Sequence, residues 1–103
     1  MAWIALFVAG LLEILWAYSM KISEGFSRPL PATVTLAAMA ASFALLAWAM
    51  RQLPLGTAYM VWTGIGAVGA FAVGVAVLGE SASAMRLAAA GMIVGGIVLM
   101  KWA

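Results

Sequence analysis

The sequence predicts an all-α membrane protein with four transmembrane helices, and three observations support this fold class. Hydrophobic residues make up 68% of the 103 residues and charged residues only 8%, whereas soluble domains are roughly a quarter charged. The charged residues divide the chain into long apolar stretches, each close to the about 20 residues that a helix needs to cross a bilayer. Short connections with Pro, Gly or Ser separate these stretches, so residues 1–103 form one predicted membrane domain with no room for a soluble one.

The first two helices are predicted at about residues 2–20 and 30–50. Only Glu13 puts a charge inside the first stretch. A polar loop from Lys21 to Pro31 follows, and its two prolines suit the first turn of the second helix, where a missing N–H costs little.

The third and fourth helices are predicted at about residues 54–78 and 84–102. The turn before the third helix is very short, and the loop before the fourth ends at Ser83, a residue type that favours the N-cap position. Because all three loops are short, neighbouring helices are predicted to run antiparallel.

The basic residues are almost evenly divided between the two ends of this bundle. One end carries Arg51 and Lys101, and the other carries Lys21, Arg28 and Arg86. The positive-inside rule needs an excess on one side, so both orientations are expected to insert with similar ease. A weak bias toward one orientation remains an alternative. We expect dual topology, with an antiparallel homodimer supplying the inverted repeat that many transporters contain within one chain.

Glu13 is the only charged residue near the middle of a predicted span. A charge at that depth costs roughly 2.5–3.5 kcal/mol on insertion scales and usually marks an ion or substrate pathway. No basic residue is predicted at the same depth to pair with it. A carboxyl group in this position can hold a proton in one state and a cation in another, as a proton/cation exchanger requires. The structural alternative is a protonated Glu that donates a hydrogen bond between helices.

Several polar, aromatic and small residues accompany Glu13 and form the candidate site. Gly10, Glu13 and Trp16 are three residues apart, so they share one face of the first helix. A Trp ring can contact a cation through its π-electrons. Ser42 is the one hydroxyl in the central apolar run of the second helix, although a bond to its own helix is an equally simple explanation. The candidates for substrate and proton binding are Glu13, Trp16, Ser42, Tyr59 and Trp62, with Gly10 and Thr63 adjacent to the pocket.

Two glycine patterns call for separate interpretations. Gly64, Gly66 and Gly69 match G-x-G-x-x-G but lie inside an apolar helix, without the preceding strand that a dinucleotide site requires. They are candidates either for a hinge in the third helix or for ordinary close packing. Gly91 and Gly95 form a G-x-x-x-G step that lets helices approach closely, so the fourth helix is predicted to be the dimerisation helix.

The composition also excludes several chemistries. The chain contains no Cys and no His, which excludes disulfides, Cys/His metal sites and Ser-His or Cys-His catalytic pairs. We therefore predict no enzyme, no metal and no cofactor. A net charge of +2 is too small to indicate a nucleic-acid-binding protein.

Taken together, the sequence motifs resemble those of the small multidrug resistance transporters over nearly the whole chain. Trp16, the Trp-Thr-Gly-Ile-Gly-Ala run at 62–67 and Lys101 resemble the guanidinium-exporting branch in particular. The segments that carry the resemblance are Gly10-Leu-Leu-Glu-Ile-Leu-Trp-Ala17, Lys21, Glu24-Gly-Phe-Ser-Arg28, Leu53-Pro-Leu-Gly-Thr-Ala-Tyr59, Val61–Ala70, Leu78-Gly-Glu-Ser81 and Met85-Arg-Leu87.

The resemblance implies a proton-coupled antiporter in the bacterial inner membrane that works as an antiparallel, dual-topology homodimer. Glu13 would bind substrate and protons in competition, and Ser42 would hydrogen-bond Glu13. The aromatic side chains of Trp16, Tyr59 and Trp62 would line the pocket. Lys101 resembles a marker of the branch, with no role assigned to it.

Three functions therefore remain open at this stage. The first is export of guanidinium and small substituted guanidinium ions, whose parallel N–H groups fit a carboxylate. The second is broader export of quaternary ammonium and other hydrophobic cations, which offer no such N–H donors. The third is a non-transporting membrane subunit, for which Glu13→Gln should be tolerated.

Overall fold

The computed structural model describes residues 1–103 and contains four α-helices. Each is long and apolar enough to cross a membrane. The helices are α1 (Ala2–Ile22), α2 (Pro29–Ala49), α3 (Leu55–Ala76) and α4 (Ala84–Trp102).

The helix ends differ from the predicted ones by up to two residues, for local physical reasons. α1 extends through Lys21, which the sequence analysis placed in the first loop; a basic side chain in the last turn is favourable beside the negative end of the helix dipole. α3 ends two residues earlier than predicted, at Ala76. There Gly79 adopts a left-handed conformation with φ of 72°, and the N–H of Glu80 donates to the Gly74 carbonyl at 3.0 Å.

The predicted N-cap of α4 is confirmed. The Ser83 side-chain oxygen accepts a hydrogen bond from the backbone N–H of Arg86 at 3.2 Å. This bond satisfies one of the amide groups that a helix leaves unpaired at its N-terminal end.

The four helices form a thin slab rather than a rounded bundle, with principal extents of 40 × 34 × 16 Å. α1 packs against both α2 and α3, whereas the backbone of α4 lies beside α3 alone. No residue of α4 is buried. The slab therefore has one well-packed part, α1–α3, and one helix attached at its edge.

The buried apolar core lies toward one end of α1–α3. It joins the N-terminal half of α1 to the C-terminal half of α2 and the N-terminal half of α3. Half of its side chains are Ala, which lets the helices approach closely. Its members are Ala5, Leu6, Ala9, Leu46, Ala49, Ala58, Val61 and Trp62.

Candidate functional site

Glu13 projects from the middle of α1 toward α3, where its carboxyl group lies directly against Gly66. A Cβ atom added at Gly66 would overlap the Glu13 carboxyl. The side chain is half-buried, and no protein group hydrogen-bonds its buried Oε1 atom. Glycine at position 66 therefore provides the space that the carboxyl group occupies.

Two further glycines on either side of this contact hold α1 and α3 close together. A Cβ at Gly10 would meet the Ile65 side chain, and a Cβ at Gly69 would overlap the side chain of Ile14. On α3, Gly66 and Gly69 thus act as close-packing positions against α1. Gly64 faces the other way, where a Cβ would come within 2.8 Å of Ile97 on α4. In this structure α3 is one continuous helix. A hinge at Gly64, Gly66 and Gly69 therefore remains a prediction.

Ser42 joins α1, α2 and α3 through a buried chain of hydrogen bonds. Its hydroxyl donates to the Ala9 carbonyl oxygen at 2.7 Å and accepts from Trp62 Nε1–H at 3.0 Å. The sequence led to two predictions for Ser42, a hydrogen bond to Glu13 or a bond to its own helix. The observed arrangement differs from both. Ser42 is fully buried, and its single hydroxyl proton goes to the carbonyl of Ala9, four residues before Glu13.

Four aromatic rings form a row that links three of the predicted pocket residues. Phe43 stands at its centre, with ring-centroid distances of 6.4 Å to Trp16 and 5.8 Å to Trp62, both edge-on. Tyr59 continues the row at 5.7 Å from Trp62. Contacts of this geometry are favourable beyond the area they bury. Phe43 was not among the predicted pocket residues, although its place next to Ser42 in the middle of α2 was a usable signal.

Trp16 adds a second unsatisfied polar atom to the site, since its buried Nε1 also lacks a hydrogen-bond partner. Glu13 Oε1 is an acceptor and Trp16 Nε1–H is a donor, one turn apart on α1. Buried polar atoms are normally paired, and an unpaired one costs about 1–3 kcal/mol. A ligand that supplied N–H groups to Glu13 would remove part of this cost.

Tyr59 and Thr63 lie where the site meets the edge of the slab. Tyr59 is 53% exposed, whereas its neighbour in the aromatic row, Trp62, is buried. Both Tyr59 and Thr63 line an apolar groove of about 480 Å³ between α3 and α4. Thr63 therefore lies on the α4 side of α3, away from the Glu13 contact with Gly66.

The predicted dimerisation glycines lie on the outer side of α4. Atoms added as Cβ at Gly91 or Gly95 would meet nothing within 4 Å. Ile93 and Ile97, by contrast, line the groove against α3. The G-x-x-x-G step thus faces away from the rest of the protomer, and its role in a dimer remains a prediction.

Comparison with known proteins gives one consistent result. The model of the Small Multidrug Resistance protein family matches residues 1–93. A guanidinium exporter of Citrobacter freundii is 57% identical over 101 residues, which cover 98% of this chain and 96% of that protein. Guanidinium exporters of Salmonella typhimurium and Escherichia coli K12 are 57% and 58% identical with the same coverage. A family match over nearly the whole length, with relatives of this similarity, shows that the chain belongs to the small multidrug resistance family.

Proposed function

We propose that this multi-pass membrane protein exports guanidinium and small substituted guanidinium ions in exchange for protons. Two kinds of observation support the substrate class. Relatives named guanidinium exporters are 57–58% identical over almost the whole chain. In addition, a carboxyl oxygen and an indole N–H are buried without partners in the middle of the helices.

The unpartnered Glu13 Oε1 carries the proposal. A guanidinium ion is planar and presents paired N–H donors, which suit the two oxygens of a carboxylate. An aromatic ring one turn away on α1, that of Trp16, suits a flat cation. A quaternary ammonium ion offers no N–H groups and would leave the Glu13 oxygen unsatisfied, so this alternative finds less support here.

Exchange follows from competition for the same carboxyl group. A proton on Glu13 removes the charge that holds the cation, and a bound cation opposes protonation. If each site faces the two sides of the membrane in turn, an inward proton gradient drives the cation outward.

We further propose that the working unit is an antiparallel, dual-topology homodimer in the bacterial inner membrane. The nearly even division of basic residues between the two ends of the slab supports dual orientation. The exposed G-x-x-x-G face of α4 supports a helix–helix contact between two copies. Two oppositely oriented copies would bring two Glu13 side chains to one central pocket.

The test is guanidinium-driven proton movement in proteoliposomes that contain a pH indicator. Wild-type protein should move protons when guanidinium is added on one side, and Glu13→Gln should abolish the signal. Glu24→Gln, a change of the same kind in the exposed first loop, serves as the matched control and should retain it.

Two comparison compounds separate the remaining possibilities. Urea has the shape of guanidinium without its charge and should give no signal. A tetraalkylammonium response without a guanidinium response would replace the proposed substrate class by that of quaternary ammonium ions. Silence with every cation, in protein shown to be folded, would contradict transport altogether.

A further inference from the structure

Lys101 links the C-terminal end of α4 to α1 through a side-chain contact. Its ammonium nitrogen lies 4.6 Å from the ring centroid of Trp3, inside the roughly 6 Å range of cation–π interactions. Lys101 is near the C-terminal end of α4, and Trp3 is near the N-terminal end of α1. Apart from this contact, α4 lies beside α3 alone.

No acidic side chain competes for Lys101 at this end of the slab. The charged side chains here are Lys101 and Arg51, both basic, whereas Glu24 and Glu80 lie at the opposite end. The Trp3 ring is the group over which the ammonium lies.

Trp3 is itself held in place by the buried core. Its partly buried side chain packs against the cluster that joins α1, α2 and α3, and Met100, the neighbour of Lys101, packs against the same cluster. One end of the contact is thus fixed in the rigid part of the slab. The other end belongs to a helix with no buried residue.

We infer that Lys101 is a positioning residue for cation exchange, which sets the placement of α4 relative to α1 through Trp3. The inference rests on the proposed function. α1 also carries Glu13, ten residues after Trp3, about 15 Å farther along the helix at about 1.5 Å per residue. Lys101 is too far away to touch a ligand at Glu13. However, Trp3 and Glu13 belong to the same continuous helix, α1. The contact therefore affects how α1 moves during exchange rather than how Glu13 binds the ion.

The test compares the turnover number and KM for guanidinium in proteoliposomes. Lys101→Met keeps the apolar stem and removes the charge. It should lower turnover about tenfold, the equivalent of about 1.4 kcal/mol, and change KM less than twofold. Lys101→Arg keeps a cation that can lie over an aromatic face, and it should restore turnover to within about twofold of wild type.

Trp3 provides the reciprocal variants. Trp3→Leu removes the ring and should slow turnover as much as Lys101→Met, and the double variant should be no slower than either single one. Independent, multiplying losses would overturn the inference, because residues that act through one contact show coupling in a double-mutant cycle. A rise in KM with unchanged turnover would overturn it as well.

Arg51→Met is the matched control for charge at this end of the slab. Like Lys101→Met, it removes one basic residue from that end and so changes the topological bias equally. Its exposed side chain has no comparable aromatic partner. Arg28→Gln is added to both variants, because it keeps the difference between the two ends at one basic residue, as in the wild type. Turnover of Arg51→Met in this background should stay near wild type, and a loss equal to that of Lys101→Met would assign the effect to orientation instead of position.

A second readout tests the contact itself, independently of transport. In protein labelled with 5-fluorotryptophan, the ¹⁹F resonance that disappears in Trp3→Phe belongs to Trp3. This resonance should shift in Lys101→Met and stay unmoved in Arg51→Met. If wild-type protein moves no protons with guanidinium, the proposed function fails, whereas an unshifted Trp3 resonance contradicts the Lys101 contact alone.

Discussion

At Ser42, one hydroxyl group connects three helices. It donates to the Ala9 carbonyl and accepts from the indole N–H of Trp62, so its removal leaves a buried donor without a partner. Ser42 was predictable as a candidate because it is the hydroxyl in the central run of α2. Its acceptor was not predictable, because Ala9 contributes a backbone oxygen, which no residue type signals.

Ser42→Ala should therefore lower the free energy of unfolding by about 1–3 kcal/mol, since it leaves Trp62 Nε1 buried and unsatisfied. Thermal unfolding in detergent would measure the loss. Thr33→Ala is the control, because that exposed hydroxyl bonds only to the Pro29 carbonyl of its own helix. Equal effects of the two changes would contradict a structural role for the Ser42 chain.

At Gly66, the missing side chain matters more than backbone freedom. Gly66→Ala would place a Cβ where the Glu13 carboxyl lies, and overpacking of this kind costs about 1–3 kcal/mol. We expect guanidinium affinity to fall about tenfold or more, measured by calorimetry on purified protein. Gly56→Ala, where a Cβ meets nothing within 4 Å, should bind as wild type does. Unchanged affinity in Gly66→Ala would show that Glu13 binds the ion from another position.

At the scale of helices, the sequence was most informative where hydropathy and charge agreed. All four predicted helices are present. In lipid, a long apolar stretch must pair its backbone polar groups internally, and a helix does this within one segment. The ends of α1 and α3 were less predictable, since Lys21 is compatible with both a last helical turn and a loop. The neighbours of each helix were not predictable either. Nothing in the spacing of the apolar residues indicated that α4 would pack beside α3 alone.

The outer face of α4 leads to a prediction about assembly. Gly91 and Gly95 face away from α3, and a Cβ added at either would meet no side chain or neighbouring helix within 4 Å, so Gly95→Leu should leave the protomer fold intact. If two copies meet at this face, the larger side chain keeps the helices apart and weakens the dimer. Crosslinking yield in native membranes, with thermal unfolding as the check on folding, would measure this.

Val94→Leu is the matched control on α4, since it adds a single methylene at a position that is already large. Crosslinking should persist in this variant. Undiminished crosslinking in Gly95→Leu would place the contact between copies on a different helix.

At the scale of the whole molecule, the balance of basic residues predicts that small changes in charge decide orientation. Ser27→Lys leaves four basic residues at one end of the slab and two at the other. Gln52→Lys, combined with Arg28→Gln and Arg86→Gln, gives the opposite end an excess of the same size, with three basic residues against one. Each variant alone should insert mostly in one orientation, with its added charge toward the cytoplasm, and should lose most guanidinium resistance in cells.

Co-expression of the two variants should restore that resistance, because each supplies the orientation that the other lacks. Labelling of single cysteines introduced into the loops would report the orientation of each copy. Full resistance from either variant alone, with one orientation shown by labelling, would contradict the antiparallel dimer.

The thinness of the slab has a consequence for handling the protein. Only 18 of 103 residues are buried within a single protomer, so most of its apolar surface is covered by whatever surrounds it. Stability then belongs to the protein together with its lipid, detergent and neighbouring copies, because anything that binds the folded form shifts the unfolding equilibrium. The melting temperature should rise with protein concentration and with added phospholipid, and values measured in different detergents will describe different complexes.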